Sequence, residues 1–291
     1  MDIFFKTETF LKLCKKQHCN PLKTLQSALL HYGYWGNPPF ITYTENTGPV
    51  ILRPQTDDFA MLAEQIKNDN YKIPNWYLQR SANSDYKRVN VLDLGANAGT
   101  SSLYFANQLL RAGLEPHVVG LEPQVNNYGV YYTNAVLHQL INNKEYITPV
   151  HAAIGSKAGK CNMVEPQGCK RTCAFQTKVS DDLTDGVEVL TVDQIISDHF
   201  EGTIPQIVKM DVEGAEFDVL LNKNTAWLSE VDLFYFEVHN RLDYILQNLG
   251  QDSLTNLWEV FTNSGFVSDS NYGIPGTDPD LFFINQRLFC E

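Results

Sequence analysis

Short apolar runs alternate with segments of helical periodicity along most of the chain. The runs are continuous, which is typical of strands buried on both faces of a parallel sheet. Between them, apolar residues recur three and four positions apart, as at Leu103, Ala106 and Leu110, which predicts amphipathic helices. The pattern predicts an α/β fold, with strands over 89–94, 117–121, 147–154 and 231–240, one beginning at 207, and a terminal hairpin over 265–284.

The residues after the first of these strands carry the strongest local signal. Asp93 closes the strand, Gly95, Asn97 and Gly99 follow, and a helical segment begins directly. Strand, glycine turn and helix open a nucleotide-binding unit, in which glycines let the backbone turn sharply and approach a ligand. The carboxylate of Asp93 would repel a pyrophosphate and attract an ammonium. We therefore expect a seat for S-adenosylmethionine, which carries an ammonium and a sulfonium and no phosphate; an ordinary βα turn is the alternative.

A second acidic residue ends the next predicted strand. Glu122, followed by Pro123, comes roughly 20 residues after the glycine loop, the distance at which a carboxylate binds ribose hydroxyls in such a unit. A helix N-terminal acid that is favoured by the helix dipole is the alternative. Ala152 and Ala153, in the third predicted strand, would leave a small flat wall for an adenine ring.

The balance of charges is acidic and narrows the choice of partners. Lys and Arg total 22 against 34 Asp and Glu, for a net charge of −12, so binding to a nucleic-acid backbone is not expected. No run of about 18 apolar residues predicts a transmembrane segment, and the first residues lack the features of a secretion signal. These features predict a cytoplasmic protein with reduced cysteines.

An irregular polar segment over 156–185 contains Cys161, Cys169 and Cys173. Their spacing matches no common zinc site, so a metal centre is the less favoured interpretation. A long loop of this kind is typical of a lid or a substrate-facing insertion.

The first part of the chain is predicted to be an extension of helices and loops over residues 1–88, and residues 89–291 are predicted to form the α/β domain. The first twenty residues mix apolar residues with lysines. This suits a helix packed on the domain or on a second subunit, which would make a homodimer; a membrane-surface helix is the alternative. The aromatic segment 71–78 could cover a binding cleft or pack against the sheet.

Charged residues interrupt the apolar runs that begin at 207 and 231. Side chains alternate along a strand, so Lys209, Asp211 and Glu213 would share one side if the strand continued that far, as would Glu237 and His239 on the next strand. All stand near carboxyl ends, where open α/β sheets bind ligands. His239 is the first candidate for a general base, because imidazole titrates near neutral pH, and Asp211 is the second.

Two other interpretations of these residues stay open. A lysine in an apolar strand is costly unless it is paired, so Lys209 with Asp211 or Glu237 could form a structural ion pair that fixes the strand ends. Alternatively, Asp211, Glu237 and His239 could bind a divalent cation such as Mg²⁺, which would lower the pKa of a bound alcohol.

Taken together, these motifs resemble the FkbM family of S-adenosylmethionine-dependent methyltransferases. The similarity rests on DLGANAG at 93–99, Glu122-Pro123, KMDVEGAE at 209–216 and FEVH at 236–239, and it extends over about residues 89–284. It implies a Rossmann-like class I methyltransferase fold with a mostly parallel seven-stranded sheet and helices on both faces. It also implies O-methylation of a hydroxyl group on a sugar, glycan or polyketide-like small molecule.

The resemblance implies cofactor contacts at the glycine loop and Glu122, and functional roles for Asp211, Glu213 and Glu216. The sequence departs from the usual methyltransferase pattern at one point, because no acid follows the third strand to hold the adenine amino group. Main-chain groups or Ser156 would have to bind that amino group instead. An inactive methyltransferase fold that acts as a scaffold and an NAD-dependent enzyme are the rival interpretations. The predicted cofactor-binding residues are Asp93, Gly95, Ala96, Asn97, Gly99, Thr100, Glu122, Pro123 and Ala153, and the predicted catalytic residues are Lys209, Asp211, Glu213, Glu237 and His239.

Overall fold

The computed structural model describes residues 39–164, 176–179, 186–222, 224–237, 253–268 and 280–289. Within these ranges the strands are β1 (Phe40–Thr44), β2 (Gly48–Leu52), β3 (Arg88–Leu94), β4 (Glu115–Leu121), β5 (Ile147–Val150), β6 (Ala153–Ile154), β7 (Gly159–Val164), β8 (Gln176–Val179), β9 (Val187–Leu190), β10 (Ile207–Met210), β11 (Leu233–Glu237), β12 (Phe266–Ser268) and β13 (Asp280–Asn285). The α-helices are α1 (Asp58–Asn68), α2 (Asn75–Asn83), α3 (Thr100–Arg111), α4 (Val125–Asn142), α5 (Val192–Phe200), α6 (Glu216–Leu220) and α7 (Ser253–Asn263). No helix in these ranges is long and apolar enough to cross a membrane.

Seven of the described strands form the central sheet, in the spatial order β12, β13, β11, β10, β3, β4, β5. The five strands from β11 to β5 run parallel, and β13 is antiparallel to both of its neighbours. Alternate residues feed two cores: Val91 and Ile207 pack on one face, and Leu92 and Val208 pack on the other. The predicted mostly parallel seven-stranded sheet is therefore confirmed, and its continuous apolar runs are the strands that both cores cover.

The order of the strands fixes where a ligand site can form. From β3 the chain moves outward through β4 to β5, and it later returns to β10 on the other side of β3. Connections that leave in opposite directions open a crevice at the carboxyl ends of the two strands between which they diverge. The carboxyl ends of β3, β4 and β10 are therefore the place to look for a site.

The predicted strand over 147–154 is wrong in its second half. β5 ends at Val150, the Ala152 N–H donates back to the Val150 carbonyl at 3.1 Å, and Ala153 pairs with Val189. β6 thereby joins a second sheet, in the order β6, β9, β7, β8, to which the insertion 156–185 contributes β7 and β8. An apolar run cannot reveal where the chain changes sheets, because both halves are buried.

The described part of the segment before β3 packs directly on the α/β sheet. Its hairpin β1–β2 and helices α1 and α2 share one core with β3. Asn134 of α4 connects the hairpin to the glycine loop, because its amide accepts from Ile51 N at 2.7 Å and donates to Ile51 O at 3.0 Å and to Ala98 O at 2.9 Å. The expectations for the first twenty residues lie outside the described ranges.

The aromatic segment 71–78 packs against the sheet, which is one of the two alternatives that its sequence left open. Ile73 and Tyr77 are buried. The Tyr77 hydroxyl donates to Asp232 Oδ2 at 2.8 Å, and the Tyr235 hydroxyl of β11 donates to the Lys72 carbonyl at 2.8 Å. These bonds attach the segment to β11 and to the residue that precedes it.

Two glycines make room for one aromatic ring. A Cβ added at Gly99 would lie 2.1 Å from Tyr131 Cδ2, and one added at Gly120 would lie 2.1 Å from the Tyr131 hydroxyl oxygen. Tyr131 belongs to α4 and is completely buried. Close packing leaves no space for another methyl group here, so α4 can approach β4 and the start of α3 only where these two residues have no side chain.

This packing predicts opposite effects of the same substitution at two glycines. Gly120→Ala should lower the free energy of unfolding by about 1–3 kcal/mol, because the new methyl group collides with Tyr131. Gly129→Ala, on the helix that carries Tyr131, meets no atom within 4 Å and should be neutral or stabilising by up to about 1 kcal/mol. Urea unfolding measures both. Wild-type stability in Gly120→Ala would contradict the packing described here.

Candidate active site

The glycine loop lies folded against the end of β4. Gly95 N and Ala96 N both donate to the Leu121 carbonyl, at 3.1 and 2.9 Å, and Gly99 N donates to Ala96 O at 2.7 Å. Gly95 and Gly99 have φ angles of +81° and +82°, which glycine adopts without strain. The sharp turn that the spacing predicts is present.

Protein atoms fill the space beside the two glycines of the loop. A Cβ at Gly95 would lie 1.7 Å from the Asp211 carbonyl oxygen, and Gly99 faces Tyr131 as described above. The missing side chains of these glycines thus let β3 approach the end of β10 on one side and α4 on the other. Close approach of the loop backbone to a ligand stays a prediction.

Glu122 is held in a fixed orientation at the end of β4. Its carboxylate accepts from Asn97 N at 2.9 Å through Oε2, and from Gln124 N at 2.9 Å and Asn127 Nδ2 at 3.3 Å through Oε1. Burial raises the pKa of Glu122 to about 7, although these hydrogen bonds and the Lys209 charge act in the opposite direction. A carboxylate has about four acceptor positions, so Oε2 keeps one for a ligand hydroxyl.

Asn97 presents a second polar group at the same place. It has a φ of +51°, a region that asparagine tolerates better than most residues. Its side-chain Oδ1 is buried and has no hydrogen-bond donor among the described residues. A buried acceptor without a donor costs about 1–3 kcal/mol, so a ligand or water donor would stabilise this atom.

The remaining predicted cofactor-binding residues lie in three places: the glycine loop with the start of α3, the end of β4, and the second sheet. Ala96 is buried in the loop, and Thr100 begins α3, where its carbonyl accepts from Gln65 Nε2 at 3.3 Å. The Pro123 carbonyl lies 3.0 Å from His151 Nε2. The structure places Ala153 elsewhere, because β6 has left the central sheet and the Ala153 side chain packs with Cys161 and Val189.

Asp93 is the centre of an internal hydrogen-bond network. Its carboxylate is fully buried, and Oδ2 accepts from the hydroxyls of Ser101 and Ser102, each at 2.6 Å. Because Ser102 donates to Asp93, the Tyr131 hydroxyl at 2.8 Å must donate to Ser102. The network therefore joins β3 to α3 and α4.

Lys209 continues this network across the crevice. Its ammonium lies 3.3 Å from Asp93 Oδ1 and 3.4 Å from Asp211 Oδ2, and it donates to the Gly95 carbonyl at 2.6 Å. Burial alone would lower the pKa of Lys209, but the charges of Asp211, Asp93 and Glu237 raise it above its usual value. The predicted pairing of this lysine with strand-end acids is therefore present, and it includes Asp93 as well.

The other predicted catalytic residues do not all share one side of a strand. β10 ends at Met210, and Glu213 has a φ of +52° in the turn that follows, so the strand alternation does not reach it. Asp211 stays beside Lys209, and Glu237 ends the neighbouring strand β11. Glu216 is buried at the start of α6 and accepts from Val212 N at 3.3 Å. His239 lies outside the described residues.

A metal centre finds no support in the part of the chain that the structure describes. No group of three or more His, Cys, Asp or Glu residues in those ranges could hold a metal ion. Cys161 is buried in β7, and burial raises the pKa of its thiol, so it resembles a core residue. Cys169 and Cys173 lie outside the described residues.

Several residues of the site escaped the sequence analysis. Ser101 and Ser102 follow Thr100 in the first turn of α3, and three adjacent hydroxyl residues at a buried helix start were the available signal. The His151 ring stacks on Tyr128, with centroids 4.8 Å apart, beside the end of β5. Ser156, which the sequence offers as an alternative adenine contact, is held by Asp218, which no sequence motif indicated; Asp218 accepts from the Ser156 N–H and hydroxyl at 2.8 Å each.

The network predicts that the Asp93 charge stabilises the fold. Asp93→Asn should lower the free energy of unfolding by about 3 kcal/mol, because the buried ammonium of Lys209 loses one of its carboxylate partners. Asp85→Asn, at an exposed position, should change it by less than about 0.5 kcal/mol. Chemical unfolding followed by fluorescence would compare them. Equal stability of the two variants would show that the charge of Asp93 does not stabilise the fold.

Comparisons with known proteins address the family of the chain. Among solved structures, it is similar to a methyltransferase FkbM from Methylobacillus flagellatus KT, with 16% identity, a TM-score of 0.44 and coverage of 97% of this chain and 60% of that one. It is also similar to precorrin-6y C5,15-methyltransferase from Geobacter metallireducens GS-15, with 13% identity, a TM-score of 0.35 and coverage of 72% and 84%. A third similarity is to Aeropyrum pernix fibrillarin in complex with S-adenosyl-L-methionine, with 9% identity, a TM-score of 0.37 and coverage of 86% and 82%.

No curated protein matches the chain. The family model of the methyltransferase FkbM domain matches residues 93–267, from the acid of the glycine loop to β12. This range contains the glycine loop, Glu122 and the strand that carries Lys209. The sheet order is that of a Rossmann-like class I methyltransferase, and the chain belongs to the FkbM methyltransferase family.

Proposed function

We propose that this protein transfers a methyl group from S-adenosylmethionine to a hydroxyl group of a sugar, glycan or polyketide-like small molecule. The observation that carries the proposal is the orientation of Glu122 at the carboxyl end of β4, where the Asn97 N–H donates to its carboxylate at 2.9 Å. A carboxylate at the end of the second strand of such a unit is the group that binds ribose hydroxyls. The acceptor class and the chemistry at oxygen come from the family resemblance.

The residues around the glycine loop fit the cofactor in two respects. Glu122 Oε2 has an acceptor position for a ribose hydroxyl, and the buried Oδ1 of Asn97 needs a donor. An amino group or a second hydroxyl of the cofactor could supply that donor. Direct contact between Asp93 and the cofactor ammonium stays a prediction, because the described partners of that carboxylate are protein groups.

Charge separates this cofactor from a dinucleotide. Asp93, Asp211 and Glu237 with Lys209 sum to a charge of −2 beside the loop, and S-adenosylmethionine has a net charge of +1 from its ammonium, sulfonium and carboxylate. A pyrophosphate would bring two negative charges to the same place and be repelled. The site therefore favours the sulfonium cofactor over NAD.

The protein must align the acceptor and remove its proton, since the bound cofactor supplies a methyl group that is already electrophilic. Asp211 stands at the carboxyl end of β10, and His239 follows the end of β11, the next strand. We propose His239 as the general base and Asp211 as the alternative. Homodimer formation and a cytoplasmic location stay predictions from the sequence.

The pKa of Glu122 makes cofactor binding dependent on pH. A hydroxyl donates more strongly to an ionised carboxylate than to a carboxylic acid, and the Glu122 pKa of about 7 places this change near neutrality. The affinity for S-adenosylhomocysteine, measured by calorimetry, should therefore rise about tenfold between pH 6 and pH 8. In Glu122→Gln the affinity should be weak and independent of pH.

Glu64→Gln is the matched control, because Glu64 is exposed on α1, and it should keep the wild-type profile. Tight binding in a folded Glu122→Gln protein would contradict the ribose contact. Tight binding of NAD by the wild type would instead support the dinucleotide alternative.

Removal of the base should slow turnover without loss of the cofactor. His239→Ala should lower turnover by roughly 10²–10⁴-fold with unchanged cofactor affinity, and Asp211→Asn should also be slow. The measurement is transfer of labelled methyl groups to a panel of sugar and polyketide-like acceptors. His199→Ala is the control, because His199 lies in the last turn of α5, the helix that leads into the amino end of β10, away from the carboxyl edge. Full activity in both site variants would show that neither residue is the general base and that proton removal takes place elsewhere.

A further inference from the structure

The Lys209 ammonium has the surroundings of a bound cation. Only 3% of its side chain is exposed, and oxygen atoms face it from Asp93, Asp211, Gly95 and, at 3.5 Å, Leu94. Two are carboxylate oxygens and two are main-chain carbonyl oxygens, which are the ligand types that Mg²⁺ and Ca²⁺ select. The distances of 2.6–3.5 Å are those of hydrogen bonds and ion pairs to an ammonium, and they exceed the lengths of most metal–oxygen bonds.

Other groups keep the ammonium in this position. The Tyr71 ring centroid lies 5.7 Å from Nζ, within the range of a cation–π contact. Glu237, on the neighbouring strand, adds a third negative charge that favours the protonated amine. The aromatic lead-in segment and both strands that carry the predicted catalytic acids therefore contribute to the surroundings of one ammonium.

We infer that the Lys209 ammonium is the resident cation of this strand-end site, in the place where a divalent metal would otherwise neutralise the acids. Mg²⁺ does not fit the arrangement, because a lysine side chain already occupies the centre of the oxygen atoms. The inference rests on the proposed methyl transfer, in which Lys209 is a positioning residue that holds Asp211 and the glycine loop together. Proton removal from the acceptor is then left to protein groups.

The charge of the cofactor gives a physical reason for a monovalent cation. Asp93, Asp211 and Glu237 with Lys209 give a local charge of −2, and a divalent ion added beside Lys209 would cancel it and remove the attraction for the cationic sulfonium and ammonium. With Lys209 alone, the site keeps a net negative charge that attracts a cofactor of charge +1. A lysine that is part of the chain also cannot be removed by a chelator or exchanged for another metal.

The test compares Mn²⁺ binding and activity in wild type, Lys209→Met and Lys209→Arg. Electron paramagnetic resonance measures Mn²⁺ binding in the absence of substrate, and cofactor binding is measured by calorimetry on the same samples. Wild-type activity should be unaffected by a chelator and by added Mg²⁺. Lys209→Met should lower turnover about 10–100-fold, and Lys209→Arg, which keeps the charge, should recover part of it.

Lys209→Met should also bind Mn²⁺ at least about tenfold more tightly than wild type, and the additional change Asp211→Asn should abolish that gain. Lys157→Met, at an exposed position, should match wild type in every measurement. If Lys209→Met does not fold, the wild-type measurements alone decide. Stoichiometric Mn²⁺ binding by wild type, or activity that is lost with a chelator and restored by Mg²⁺, would overturn the inference.

A different result would contradict the proposed function, namely the absence of cofactor binding in wild type. The comparison of Mn²⁺ binding between wild type and Lys209→Met is informative in either case, because it does not depend on the cofactor.

Discussion

The buried ammonium of Lys209 is the contact on which the rest of the site depends. It lies between Asp93 of β3 and Asp211 after β10, and it also donates to the Gly95 carbonyl. A buried charge is tolerated only when it is paired and hydrogen-bonded. The two strands that border the switch point are therefore joined by a cation whose removal would leave two carboxylates facing each other.

The same network determines the shape of the glycine loop. Asp93 binds the first turn of α3 through Ser101 and Ser102, and Ser102 accepts from Tyr131 of α4. The missing side chains of the loop glycines let β10 and α4 approach. These hydrogen bonds satisfy Asp93 Oδ2, whereas Asp93 Oδ1 has the Lys209 ammonium at 3.3 Å and no hydrogen bond from a described residue. The other polar groups of the loop that face a ligand are Glu122 Oε2 and Asn97 Oδ1. Contacts with protein groups thus fix the shape of the loop before the cofactor binds. We expect the cofactor to bind at the carboxyl end of β4, beside Glu122.

The sequence predicted the sheet well because buried parallel strands leave continuous apolar runs with polar residues at their carboxyl ends. The same reasoning brought Asp93, Glu122, Lys209 and Asp211 to one edge. It failed where the backbone changes direction inside an apolar run: β5 gives way to β6 after Val150, and the turn at Glu213 ends the alternation of β10.

The sequence also could not predict which protein atoms pack beside the loop glycines. A Gly–x–Asn–x–Gly spacing predicts a tight turn, but only the fold shows whether a ligand or a neighbouring residue fills the space beside it. Tyr131 lies 32 positions after Gly99 in the chain, and no local pattern connects the two. The serines that bind Asp93 could have been found, since polar residues at a buried helix start need partners.

A crystal structure with S-adenosylhomocysteine tests the central claim most directly, because it locates each ligand atom relative to Asp93 and Glu122. The account predicts a ribose hydroxyl within hydrogen-bond distance of Glu122 Oε2, while the Asp93 carboxylate keeps Ser101, Ser102 and Lys209 as its partners. A ligand amino group bound to Asp93 with Lys209 displaced, or a nucleoside bound away from Glu122, would contradict it.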